Sequence, residues 1–262
     1  MDITAIGGLF FGLISLIGGF LLEGGHVGAL FQSSAAIIVF GGTIGATIIS
    51  FSLQEVLSIP KLLKVAFFSK QPDAVTTIET MVSLAEDARK EGLLHLETRL
   101  EEIEDPFIRK GIQLVVDGTD PEMVKNVLET ELYTIEARHH VGSAIFETAG
   151  GYAPTMGIIG TVMGLIHVLG SMEDPDQLAP AIAVAFMATL YGVGSANVLW
   201  IPLSGKLQNL SKNEVLIREL AMEGIVSLQA GYNPVLIRER LTAFLAPTSR
   251  KGNKETESEE ES

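Results

Sequence analysis

All 18 basic residues of the chain fall in two blocks, Lys61–Arg138 and Lys206–Lys254, and the residues outside those blocks are predominantly apolar. A bilayer core of about 30 Å is crossed by about 20 apolar helical residues, because backbone polar groups must be satisfied inside the helix where water is absent. Four segments meet that requirement: Ile3–Leu22, Ser33–Phe51, Ala149–Met172 and Leu178–Leu203. This segregation reconciles a hydrophobic content of 47% and a mean hydropathy of +0.35 with a formal charge of −14. The expected fold class is therefore an all-α membrane protein.

The four segments pair into two hairpins with short connections, Glu23–Gln32 and Glu173–Gln177, and neither connection carries Lys or Arg. Lys and Arg are retained on the cytoplasmic side of a membrane, so both termini are expected in the cytoplasm. The chain opens with Met1-Asp2 rather than a basic region, and no small-residue cleavage site follows Leu22, so the first span is expected to remain in the mature protein. The expected division is a first transmembrane hairpin (1–52; spans 3–22 and 33–51) and a cytoplasmic helical domain (53–148). A second hairpin follows (149–203; spans 149–172 and 178–203), then C-terminal cytoplasmic helices (204–246) and a disordered acidic tail (247–262), since "ETESEEES" is a solvated charge run. Within the cytoplasmic region Val75, Ile78, Val82 and Ala85 recur at helical spacing, and Asp73, Asp105 and Asp120 stand as helix N-caps, the last two before proline. No strong breaker separates Pro121 from the third span, and the fourth span runs on to a stop near Gly231-Tyr232-Asn233-Pro234. Both of those spans thus extend into the cytoplasm.

Gly157, Gly160 and Gly164 share a broad face with Thr161 on the third span, and Gly192 shares one with Ala185, Ala188 and Thr189 on the fourth. Small residues let transmembrane helices approach closely, so close packing is the simplest role for the glycines. Thr155, Thr161 and Thr189 are candidates for a polar path, although a threonine hydroxyl also satisfies itself on the preceding turn. Pro154 and Pro202 lie at similar depth in antiparallel helices, where each removes a backbone donor and marks either a hinge or a span boundary. The span interiors contain no Asp, Glu, Lys or Arg. An ion crossing here needs a carboxylate from another subunit. His167 reads as a neutral, hydrogen-bonded histidine near the outer end of its helix.

The motifs of enzymes are missing: "YGVGSAN" lacks the third glycine and the strand of a dinucleotide site, and no Walker loop, HExxH or GxSxG occurs. The adjacent His139 and His140 diverge on a helix and make a poor metal pair. With no cysteine there is no thiolate chemistry, and the acidic balance excludes a nucleic-acid surface. No cofactor is expected.

In this order around four spans, "ARKEGLLHLE", "APTMGIIGTVMGLIHVL", "AFMATLYGVGSANVLWIPL" and "EGIVSLQAGYNP" resemble the MotA/PomA/MotP family of flagellar stator proteins, over nearly the whole chain. The resemblance implies a ring of five such chains around two copies of a MotB-like partner, whose single span supplies the missing aspartate. Ion flow across the bacterial inner membrane would then drive the flagellar rotor through its switch protein FliG. It also implies that Pro154 and Pro202 are the mechanically important prolines, that Thr189 faces the partner's aspartate, and that Arg89, Lys90 and Glu97 engage the rotor. Thr161 falls where sodium-driven members have threonine. However, this chain reads Ala188-Thr189-Leu190-Tyr191-Gly192 where sodium-type members often read T-T-L-Y-G. The transported cation is expected to be sodium, with protons or a divalent ion as alternatives, since hydroxyl oxygens suit both metal classes. The related ExbB/TolQ family, whose motors energise outer-membrane processes, is the alternative reading.

Overall fold

The computed structural model describes residues 2–69, 73–170 and 175–245, without the side chains of 175–177. The expected end of the third span at Met172, the first two residues of the acidic turn after it, and the acidic tail lie outside the described residues. Every regular element among those residues is helical. Four helices are long and apolar enough to cross a membrane: Ile3–Leu22, Val27–Ser50, Pro121–Gly170 and Leu178–Gln229.

Residues group into two compact units, Met1–Lys70 with Arg138–Leu210, and Gln71–Ala137 with Ser211–Ser262. In the first unit, Asp2 caps the helix Ile3–Leu22 by accepting a hydrogen bond from the Ala5 amide at 3.1 Å. That helix is apolar on all sides and buries no residue against the rest of the chain. Such a surface is stable only in an apolar surrounding. The second apolar segment opens with a short 3-10 turn, Val27–Leu30, and becomes helical at Ser33. It contains a π turn at Ile37–Gly41 and ends at Ser50. Ser52 and Glu55 then form a reciprocal capping box for the next turn.

The helix Ile59–Phe68, begun by Pro60, packs Leu62, Leu63, Ala66 and Phe67 around Phe146, Leu203 and Leu207. That packing is why 59–68 and the stretch from Arg138 onward cluster with the apolar helices. The compact unit thus reaches past the apolar segments themselves, because amphipathic residues next to a span bury their apolar face on its continuation.

The second unit is held by an apolar core of its own that includes Ile78, Met81, Leu96, Phe107, Ile112, Leu128, Leu220, Ile225 and Ile237. Asp73 caps Ala74–Glu91 through the Thr76 amide, and Asp105 caps Pro106–Val116 through Phe107 and Ile108. Asp120 accepts from the Glu122 amide at the start of Pro121–Gly170. Gly92, at φ +91°, ends the first of these helices in a conformation that strains any residue with a side chain, and a 3-10 stretch, Leu93–Glu102, follows. The helix Ile201–Gln229 stops at Gly231, φ +74°, and Asn233 caps the last helix, Pro234–Thr242.

Candidate functional site

The third and fourth apolar helices meet at backbone contact. A Cβ placed on Gly192 would lie 2.5 Å from the Ala153 carbonyl oxygen and 2.9 Å from the Gly157 Cα, and one on Gly157 would lie 2.9 Å from the Ala188 carbonyl oxygen. Further along the same seam, a Cβ on Gly160 would fall 2.6 Å from that of Ala188, and one on Gly164 would fall 2.9 Å from that of Ala185. All four glycines therefore sit where only hydrogen fits between the two helices.

This closeness brings two hydroxyls together. Thr161 Oγ1 and Thr189 Oγ1 are 2.5 Å apart, and Thr161 Oγ1 also lies 3.0 Å from the carbonyl oxygens of Gly157 and Ala185. Each hydroxyl has one hydrogen and two lone pairs. When Thr161 donates to the Gly157 or Ala185 carbonyl it accepts from Thr189, so one hydrogen is spent on backbone and the other between the two hydroxyls. What remains is lone-pair oxygen, and Thr189 is exposed. The pair is thus disposed to face a cation or a donor rather than an anion.

Thr155 is not part of this group. Its hydroxyl donates to the Tyr152 carbonyl at 2.7 Å, and six helical residues place it about 9 Å along the axis from Thr161. Pro154 stands inside the unbroken helix Pro121–Gly170, and Pro202 stands two residues after the end of the π turn Ala196–Trp200. A proline at 154 deprives the Gly150 carbonyl of its donor, and that carbonyl is about 16 Å along the helix from Thr161. The carbonyl freed by Pro154 is therefore no ligand for the hydroxyl pair. His167 is exposed and forms no hydrogen bond with another described residue.

In the other compact unit, Arg89 and Lys90 are exposed in the last turn of Ala74–Glu91, and Glu97 is exposed on the 3-10 stretch beyond Gly92. Lys90 reaches Glu86 at 3.5 Å, a solvent-exposed pair that contributes little to stability. Arg89 and Glu97 form no ion pair among the described residues.

Two side chains beyond those singled out in the sequence also shape the apolar unit. The Tyr191 hydroxyl accepts from the Gln32 amide at 2.9 Å and donates to the Leu30 carbonyl, satisfying the irregular backbone that precedes the second helix. Its ring lies 5.9 Å from that of Phe40 and packs beside Ala35, Val39 and Ala188. Lys206 pairs with Asp2, tying the fourth helix to the start of the first. The Asp2 amide in turn donates to the Phe67 carbonyl at 2.9 Å. Lys206 donating to the Asp2 carboxylate, with the Thr4 hydroxyl and the Ala5 amide adding, holds its pKa well below the usual range.

The class of protein follows from comparison with known chains. Residues 99–220 match the MotA/TolQ/ExbB proton channel family, and residues 6–92 match the motility protein A N-terminal family. Motility protein A of Bacillus subtilis is 38% identical over 254 residues, covering 95% of this chain and 93% of its own. Chemotaxis protein PomA of Vibrio alginolyticus is 36% identical, covering 89% and 94%. Among solved structures, the flagellar MotAB stator complex from Bacillus subtilis matches with a TM-score of 0.90 and 37% identity over 96% of this chain and 99% of that one. The MotAB structure from C. jejuni matches with a TM-score of 0.90 and 30% identity over 94% and 97%. The chain belongs to the motility protein A family.

Proposed function

We propose that the chain is a stator subunit of the flagellar motor, which couples ion flow across the inner membrane to rotation of the rotor together with a MotB-like single-span partner. The observation that carries this reading is the oxygen-rich pair Thr161–Thr189 on a seam of apolar helices that contain no carboxylate. A cation passing there needs an acid from outside the chain, and the partner's membrane aspartate is that acid.

Within this reading four helices cross the membrane as two hairpins with both termini in the cytoplasm. Identical chains, five by the family pattern, surround the partner. Pro154 and Pro202 flex the two path-lining helices. Arg89, Lys90 and Glu97 engage the rotor protein FliG by charge complementarity. The transported ion is sodium, since two hydroxyls beside a carboxylate supply part of the oxygen shell a sodium ion needs, whereas a proton needs the carboxylate alone. A proton-coupled stator is the second reading, because Ala188 stands where a further threonine would add a hydroxyl.

Deletion of the chain in its native cell tests the assignment: flagella of normal number by microscopy, without rotation, are expected. Normal swimming after deletion refutes it.

A further inference from the structure

Beyond the hydroxyl pair, the apolar unit contains a cavity of about 530 Å³ between the first and fourth helices, within the range of small-ligand sites. Gly8, Leu9, Gly12, Val198 and Pro202 form its apolar wall. The wall is recessed because of its glycines: a Cβ on Gly8 would meet nothing within 4 Å, and one on Gly12 would only touch Val198 at 3.5 Å. Thr4, Lys206 and Asn209 line the other end, where the Asp2 carboxylate holds Lys206. The side chains of Asp2 and Lys206 are 24% and 27% exposed, so both charges remain open to a ligand.

The position of that polar end is set by the sequence. It lies where the apolar run of the first helix begins, beside the Phe67 carbonyl that accepts from the Asp2 amide. On the membrane reading proposed above, this is the depth at which the hydrocarbon core meets the cytoplasmic headgroup layer. On that reading the recess opens toward lipid rather than water, so hydrocarbon fills it along Gly8, Leu9 and Gly12, with Asn197 as a polar side chain in its lining. Its mouth presents one carboxylate and one ammonium in contact. A phosphoglycerol headgroup would gain Lys206 only by facing the Asp2 carboxylate, whereas phosphoethanolamine carries a phosphate for Lys206 and an ammonium for Asp2.

We propose that this groove is a phospholipid site, with an acyl chain lying along Gly8 and Gly12 and a zwitterionic phosphoethanolamine headgroup bridging Asp2 and Lys206. The site anchors the N-terminal end of the first helix to the fourth through the lipid as well as through the direct ion pair. Two variants separate chain from headgroup. Gly8→Leu projects a side chain into open space and fills the recess. Asp2→Asn with Lys206→Gln keeps hydrogen-bonding amides, and asparagine caps a helix as well as aspartate does.

The test is native mass spectrometry of the full chain, extracted from membranes with its partner subunit and re-equilibrated in vesicles of equimolar dioleoyl phosphatidylethanolamine and dioleoyl phosphatidylglycerol. The native complex is expected to retain phosphatidylethanolamine about threefold over phosphatidylglycerol, the size of effect that partly exposed ion pairs give. Gly8→Leu is expected to lose that lipid while keeping its subunit number. The double amide variant is expected to keep a lipid without headgroup preference. Equal retention of the two lipids by the native complex, or unchanged retention in Gly8→Leu, overturns the proposal. So does a changed number of chains in Gly8→Leu, which would make the groove an interface between copies. A chain recovered outside the membrane fraction would overturn the membrane reading and the site together, whereas an inserted complex without bound phosphatidylethanolamine would overturn the site alone.

Discussion

Gly192 and Gly194 are two residues apart on one helix, yet alanine at the two positions should act in opposite directions. At Gly194 an added Cβ has nothing within 4 Å, so Gly194→Ala only removes glycine's backbone entropy and should stabilise by about 0.5–1 kcal/mol. At Gly192 the Cβ would stand 2.5 Å from the Ala153 carbonyl, about 0.9 Å short of ordinary contact, against backbone that cannot rotate away. The helices must separate by a comparable distance. A gap of that size forfeits about a quarter to a half of the dispersion along the seam, and overpacking of this kind costs about 1–3 kcal/mol. The same separation stretches the Thr161–Thr189 contact from 2.5 Å to beyond hydrogen-bonding range. Gly192→Ala should therefore lower the melting temperature of the detergent-solubilised complex and abolish swimming, while Gly194→Ala raises the melting temperature. Equal melting temperatures and equal swimming in the two variants would refute the claim that these helices are in backbone contact.

Tyr191→Phe leaves the Leu30 carbonyl and the Gln32 amide unpaired, at a cost of about 1–3 kcal/mol, and should accelerate hydrogen exchange at Gln32. Asp2 has a folded-state pKa below its unfolded value, so its contribution is present above about pH 3.9 and is lost as the pH falls further. Asp2→Asn should accordingly lower the melting temperature at pH 6 and flatten its decline on acidification, which thermal melts across that range would measure. Reversing Arg89 and Glu97 together should impair swimming with membrane assembly intact, because both are exposed and neither pairs with a described residue; loss of assembly, read by size-exclusion chromatography, would assign them to folding instead. Thr161→Ala should raise the sodium concentration for half-maximal swimming at fixed pH, and Thr161→Ser should restore it; swimming in sodium-free medium that a protonophore abolishes would assign the motor to protons.

Periodicity made one part of the site readable before any coordinates. Thr161 shares a face with Gly157, Gly160 and Gly164, and Thr189 shares one with Ala185 and Gly192, so two antiparallel helices packing through their small residues bring the hydroxyls together. The helix caps at Asp73, Asp105 and Asp120 were equally readable, since capping is decided within four residues. Contacts between distant residues left no such trace: Tyr191 serves backbone groups 159 and 161 positions away, and Asp2 meets Lys206 across 204. Asp2 reads locally as a cap and Tyr191 as another apolar residue of a span, and nothing in either neighbourhood signals a partner. The π turns at Ile37–Gly41 and Ala196–Trp200 are hidden for a related reason, because no Gly-Pro pair or gap in hydrophobicity marks where an extra residue enters the helix.

The proline at 154 shows how a correct local rule can mislead about a site. Its chemistry frees a carbonyl one turn toward the N-terminus, at Gly150, while the hydroxyl pair lies about two turns toward the C-terminus. The carbonyls that do reach Thr161, those of Gly157 and Ala185, come from one turn back on its own helix and from the neighbouring helix. Thr161 therefore depends on the closeness of the two helices rather than on the kink. A substitution that straightens Pro154 should alter motion without altering the affinity for the transported ion. Pro154→Ala is expected to lower maximal swimming speed at saturating sodium and to leave the half-maximal sodium concentration unchanged. A shift in that concentration equal to the one produced by Thr161→Ala would place the kink in the ion site after all.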